Sequence, residues 1–139
     1  MDAVDIDRFS LECARQINHP KLHVSCADIR RLELAANVYS LIVAVHVLPF
    51  IPTDQLAAVC AKLAASLDVD GAICATFFGR RDEWALIRPR MSFVTSEQVA
   101  GLFSHLSLIS CQESEYDGCD VHGNAKRWHV IRVIFRKPG

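Results

Sequence analysis

The run Leu41-Ile42-Val43-Ala44-Val45-His46-Val47-Leu48 carries a single polar side chain, His46. A strand with one wet face alternates apolar and polar residues. A strand apolar on both faces needs cover on both, as parallel strands sandwiched between helices have. Pro49 and Pro52 close the run. It therefore predicts a buried strand in an α/β sheet, and the remaining pattern is read around it.

Upstream, Ala3 to Asp7 reads as a strand end followed by a helix start, with Asp7 as N-cap and Phe9, Cys13 and Ile17 on one helical stripe. His19-Pro20 stops that helix. A short strand is expected over Leu22 to Ala27, ending at Asp28, and then a polar-to-small connection over Arg30 to Asn37. Downstream, Thr53 is expected to cap a helix carrying Leu56, Val59, Cys60, Leu63, Ala64 and Leu67 at 3/4 spacing. Asp70-Gly71 reads as a turn before a buried strand over Ala72 to Phe78. Gly79 to Arg90 is a charged loop bearing Trp84. Thr95-x-x-Gln98 is a capping box before Val99, Leu102 and Phe103. The chain closes with a strand from Leu106 to Cys111, reaching toward Glu115, a turn over Tyr116 to Lys126, and a strand over Trp128 to Phe135. Alternation of strands and helices implies a mostly parallel sheet with helices on both faces, to which the terminal hairpin adds an antiparallel strand.

At 139 residues the chain is the size of one domain, read as 1–139. Its net charge of −1 lacks the strongly basic balance of a nucleic-acid binder. No apolar run approaches the ~20 residues that cross a bilayer, and no basic-then-apolar leader is visible. A cytoplasmic protein with neither nucleic acid nor membrane as partner is expected. The six cysteines never form C-x-x-C. Cys26, Cys60, Cys74 and Cys111 sit in apolar stretches and read as small core residues. Cys111, Cys119, His122 and His129 match no standard zinc spacing, so no metal is expected.

Four segments, in this order, resemble the class I S-adenosylmethionine-dependent methyltransferases, and within them the small tellurite-resistance-type branch. Val4-Asp5-Ile6-Asp7 is similar to the end of that family's second strand, and Ala27-Asp28-Ile29 to the end of its third. Tyr39 through Phe50 is similar to the fourth strand and its exit. Phe77-Phe78-Gly79-Arg80-Arg81-Asp82-Glu83-Trp84, together with Gly123 and the stretch Lys126-Arg127-Trp128-His129-Val130, resembles the C-terminal half. The resemblance implies a Rossmann-like three-layer sheet, mostly parallel with a C-terminal antiparallel hairpin. It also exposes a departure. The chain begins at what looks like strand two. Its glycines are Gly71, Gly79, Gly101, Gly118, Gly123 and Gly139, with no G-x-G among them. The family's first βα unit and its glycine-rich loop are therefore missing. Ser40 also stands where the family usually shows Asp.

The resemblance further implies S-adenosylmethionine as cofactor and methyl transfer to a small-molecule or oxyanion acceptor. Asp5, with Ile6, would take the ribose hydroxyls, an ionised acceptor strengthening both bonds. Asp7 is the lesser candidate. Asp28 would accept from the adenine amino group while Ile29 covers the ring. Ala44, Val45 and His46 would border the methionine moiety. His46 is either a satisfied core group or a residue of the methyl-transfer channel able to act as a base. Arg80 and Trp84 are substrate-side candidates, the alternative for the charges being a solvated face. No catalytic residue is assigned, because the sulfonium is already activated and positioning supplies much of the rate. Glu113 and Glu115 are not expected to converge on one group. The competing reading is a non-catalytic remnant or interaction module that has lost cofactor binding. A missing central strand also leaves open sheet edges, so a homodimer through those edges is expected.

Overall fold

The computed structural model describes all residues, Met1–Gly139. The chain forms two compact units, Met1–Glu33 and Leu34–Gly139.

In the first unit, β1 (Asp2–Asp5) leads into α1 (Arg8–Arg15) and then β2 (His23–Cys26). β1 and β2 pair in parallel, with Asp5 opposite Cys26. The Asp7 carboxylate accepts the Ser10 N–H at 2.8 Å, so it caps α1 as its position requires. The stripe Phe9, Cys13 and Ile17 faces solvent, however, and Leu11 is the buried residue of α1.

In the second unit, β3 (Tyr39–Ala44), β4 (Leu67–Gly79), β7 (Ala125–Arg136) and β6 (Ser107–Cys119) lie in the order β3-β4-β7-β6, and the short β5 (Phe93–Val94) also pairs with β4. The pairings of β3 and β5 with β4 are parallel. Those of β7 with β4 and β6 are antiparallel. The fold is thus a Rossmann-like α/β sheet closed by an antiparallel hairpin. Helices α2 (Thr53–Ser66) and α3 (Ser96–Leu102) complete the unit. Thr95 and Gln98 close the expected capping box. Thr53 does not cap α2; it is the first helical residue after Pro52, whose φ suits the entry. The core comprises Leu56, Val59, Cys60 and Leu63 of α2, Ile73, Ala75 and Phe77 of β4, and Ile131, Val133 and Phe135 of β7. Leu63→Ala should lower stability by about 2–5 kcal/mol through lost transfer energy and a residual cavity. A denaturation midpoint that stays in place would refute this packing.

Four further expectations are corrected. The Asp70-Gly71 turn is instead a kink inside one long strand. Asp70 adopts φ +62°, and the register with β3 shifts between Tyr39 and Leu41. A Cβ on Gly71 would lie 2.8 Å from the carbonyl oxygens of Asp68 and Tyr39, so only glycine fits. The hairpin strands are longer than expected, leaving only residues 120–124 as the turn. Cys26 and Cys111 are exposed rather than core residues. Finally, β3 is not covered on both faces: Leu41, Val43 and Val45 are all more than half exposed. Periodicity reports what a strand face requires, and in this chain nothing packs on that face. No helix is long and apolar enough to cross a membrane.

Candidate functional site

In an open α/β sheet, ligands bind beyond the carboxyl ends of the parallel strands. Each unit presents such an end.

In the first unit, the β1–β2 register brings Asp5 and Ile6 alongside the segment leading to Asp28 and Ile29. Asp5 Oδ1 accepts the Asp7 N–H at 2.9 Å. Its other oxygen makes no hydrogen bond within the protein, and the residue is exposed. Asp28 is differently placed. Arg30 clamps both of its carboxylate oxygens, Nη2 at 2.6 Å and Nε at 2.9 Å from Oδ2 and Nε at 3.0 Å from Oδ1. Hydrogen bonds from the Arg30 side chain and backbone hold the Asp28 pKa down to about 2. Asp28 stays ionised, its near side already engaged. Ile6 is exposed, with its carbonyl 3.7 Å from Cys26 Sγ.

In the second unit, β3 ends at buried Ala44, opposite Ala75 of β4, and Val45 turns outward. The chain then reverses at His46, which holds φ +54°. A non-glycine residue there is uncommon, and such strain persists where the surroundings fix it. Here the His46 N–H donates to Thr76 Oγ1 at 2.7 Å. A 3-10 turn, Leu48–Phe50, follows and swings Phe50 toward Phe78 and Trp84. Trp128 of β7 sits with its ring centroid 5.8 Å from His46, 5.6 Å from Trp84 and 5.5 Å from Phe78. Tyr116 of β6 lies nearly parallel to Trp128 at 6.5 Å. The structure thus gathers His46 and Trp84 into one aromatic cluster. Arg80 is not part of it, because its guanidinium donates to Gln98 Oε1 at 3.2 Å.

A buried cation lies within this cluster. Lys126 Nζ sits 3.6 Å from the Trp128 ring centroid and 4.5 Å from that of Trp84. It donates to both oxygens of Asp82 at 2.6 and 2.7 Å. The Lys126 and Asp82 side chains are 2% and 0% exposed. Asp82 also accepts the Trp84 and His129 N–H groups, so every charge here is partnered. Arg88 covers Trp84 from 4.4 Å.

On the opposite face of the hairpin, His129 Nδ1 accepts the Arg81 N–H at 3.0 Å. That fixes the tautomer and leaves Nε2–H to donate to Glu113. Arg81 also pairs with Glu115 at 3.0 Å and Glu113 at 3.5 Å. The expectation that the two glutamates would not converge is overturned: residues two apart on a strand share a face, and both meet Arg81. The Lys126–Asp82 and His129–Glu113–Arg81 groups were not anticipated as units. The available signal was Gly79 before a charged stretch, with Glu-x-Glu on the facing strand.

β1 and β2 form a two-stranded sheet in one unit, and β3-β4-β7-β6 run in that order in the other. The likeness extends to solved structures. TehB of Haemophilus influenzae superposes with a TM-score of 0.79 at 14% identity, over 98% of this chain and 49% of TehB. The N-methyltransferase NodS of Bradyrhizobium japonicum WM9 gives 0.71 at 16% identity, over 99% of this chain and 73% of NodS. The chain has the class I methyltransferase fold. A third structure with this fold is the 1,6-didemethyltoxoflavin-N1-methyltransferase of Burkholderia thailandensis, solved with 1,6-didemethyltoxoflavin and S-adenosylhomocysteine bound, at 0.72 and 15% identity, over 99% of this chain and 61% of that one. The chain thus spans about half of TehB and under two thirds of the Burkholderia enzyme. No family model and no curated protein matches the sequence. β1 and β3 are each paired on one edge only, β1 with β2 and β3 with β4.

Proposed function

We propose that this chain transfers a methyl group from S-adenosylmethionine to a small-molecule acceptor. The observation that carries the reading is Asp5, an exposed carboxylate with one uncommitted oxygen at the carboxyl end of β1, in a chain with the methyltransferase fold. That oxygen suits a ribose diol, and Asp28, held ionised beside it, suits an amino group. The cofactor supplies an activated methyl on a sulfonium. The protein's own residues then have to bind, orient and exclude water. In the second unit, Ala44 ends β3, Val45 follows it, and the His46 N–H, donating to Thr76 Oγ1, fixes the turn. Asp5→Ala should weaken S-adenosylhomocysteine binding by about 1.5–3 kcal/mol, the worth of a hydrogen bond to a charged group. An unchanged dissociation constant would remove Asp5 from the site.

We also propose that the chain self-associates through β3. β3 is the end strand of its sheet, paired with β4 alone, and Leu41, Val43 and Val45 stand exposed there. Light scattering across a concentration series should show mass rising above 15.5 kDa. A monomer persisting at high concentration would refute the proposal.

A further inference from the structure

The sheet of the second unit is covered on one face only. Phe77 of β4 and Phe135 of β7 point to the covered face, where Phe103, just past α3, packs on both. The residues alternating with them point the other way. On that other face the register sets Val43, Cys74 and Ile134 in one row across β3, β4 and β7. Leu41 stands beside the row, and Val45 lies just past the end of β3. Three strands at about 4.8 Å spacing span ~10 Å, and the residue steps from Leu41 to Val45 span ~13 Å. An α-helix is about 10–12 Å across, and eight residues of it are ~12 Å long. The uncovered area has the footprint of one short helix.

The border of the area says more about that helix. Arg132 and Arg136 share the face of Ile134, being two residues to either side of it on β7. Arg136 pairs with Asp70. Arg132 donates to Ser114 Oγ and meets no carboxylate. The occupant therefore needs an apolar stripe with a carboxylate beside it. α1 has both, in a helix of 8 residues. Phe9 is 77% exposed, Cys13 is exposed one turn on, and Ile17, just beyond the helix, is 67% exposed. Glu12 borders the stripe, three residues from Phe9. Its ion pair with Arg15, at 3.5 Å and exposed on both sides, is of a kind worth little and readily exchanged. α2 and α3, by contrast, bury apolar residues of their own.

We infer that two copies of this chain dock reciprocally, α1 of each lying across the open sheet face of the other with Glu12 at Arg132. This rests on the self-association reading above, whose contact it names. A reciprocal exchange uses the same surfaces on both copies, so it closes at a dimer. The chain's own cysteines provide the test. Cys26→Ser, Cys111→Ser and Cys119→Ser together remove three exposed thiols. Cys13 on the helix stripe and Cys74 on the sheet face remain, with Cys60 in the core, where burial pushes the thiol up to about 12. A short bismaleimide is added to a mixture of 15N-labelled and unlabelled chains, and the linked peptides are read by mass spectrometry. The expected product is a covalent dimer whose linked peptides join Cys13 of one isotope to Cys74 of the other. Phe9→Glu should weaken the dimer at least about ten-fold, the scale of one interface anchor. Phe9 is exposed in the single chain, so the change leaves the fold standing. Glu12→Arg should also weaken it, and Glu12→Arg combined with Arg132→Glu should recover the loss. The inference is overturned if the mass doubles without mixed-isotope Cys13–Cys74 peptides, if Phe9→Glu associates like the parent chain, or if the charge exchange recovers nothing. Those results would reject this docking and leave self-association standing. A mass that stays at 15.5 kDa would reject both.

Discussion

Lys126→Met is expected to destabilise the second unit by about 3–5 kcal/mol, the usual cost of removing one partner of a buried ion pair. The ammonium sits among aromatic rings and donates to both oxygens of Asp82. Its removal leaves a carboxylate that is 0% exposed and holds only two backbone N–H groups. The dominant effect is the orphaned negative charge rather than the loss of attraction. Lys126→Met combined with Asp82→Asn should therefore cost less than the single change, because no unpaired charge remains. Chemical denaturation of the two variants checks both statements. A single variant within about 1 kcal/mol of the parent, the scale of an exposed pair, would show that water reaches Asp82.

Gly79→Ala should be comparably damaging for a steric reason. A Cβ at this position would lie 2.1 Å from Nδ1 and Cε1 of His129. The ring cannot easily yield, because Nδ1 accepts the Arg81 N–H and Nε2 donates to Glu113. Overpacking costs about 1–3 kcal/mol, and displacing the imidazole adds the roughly 1–3 kcal/mol of unmet buried hydrogen bonds. Pairing Gly79→Ala with His129→Ala should recover part of the loss, since both changes act on the same few atoms. Additive losses in a double-mutant cycle would mean that Gly79 is required by backbone conformation instead.

These two groups mark the limit of what the sequence makes legible. The long apolar helix α2, the Asp7 cap and the Thr95–Gln98 box were readable, because each is written in residues a few positions apart. Lys126 and Asp82 are separated by 44 positions, and His129 and Arg81 by 48. No local period links either pair; the β4–β7 register creates them. Asp5 and Asp28 could be located by resemblance, yet the Arg30 clamp on Asp28 became visible only in the structure. The exposure of Leu41, Val43 and Val45 teaches the converse. Their pattern states truthfully that this face needs cover, but a strand cannot specify what supplies it.

The central claim is that this chain holds the methyl donor, and calorimetric titration with S-adenosylhomocysteine tests it most directly. A single saturable site is predicted, weakened at least about ten-fold by Asp5→Ala, since 1.4 kcal/mol is a factor of ten. A folded chain that gives no heat of binding at millimolar ligand would contradict the account and leave a non-catalytic interaction module as the reading of the fold.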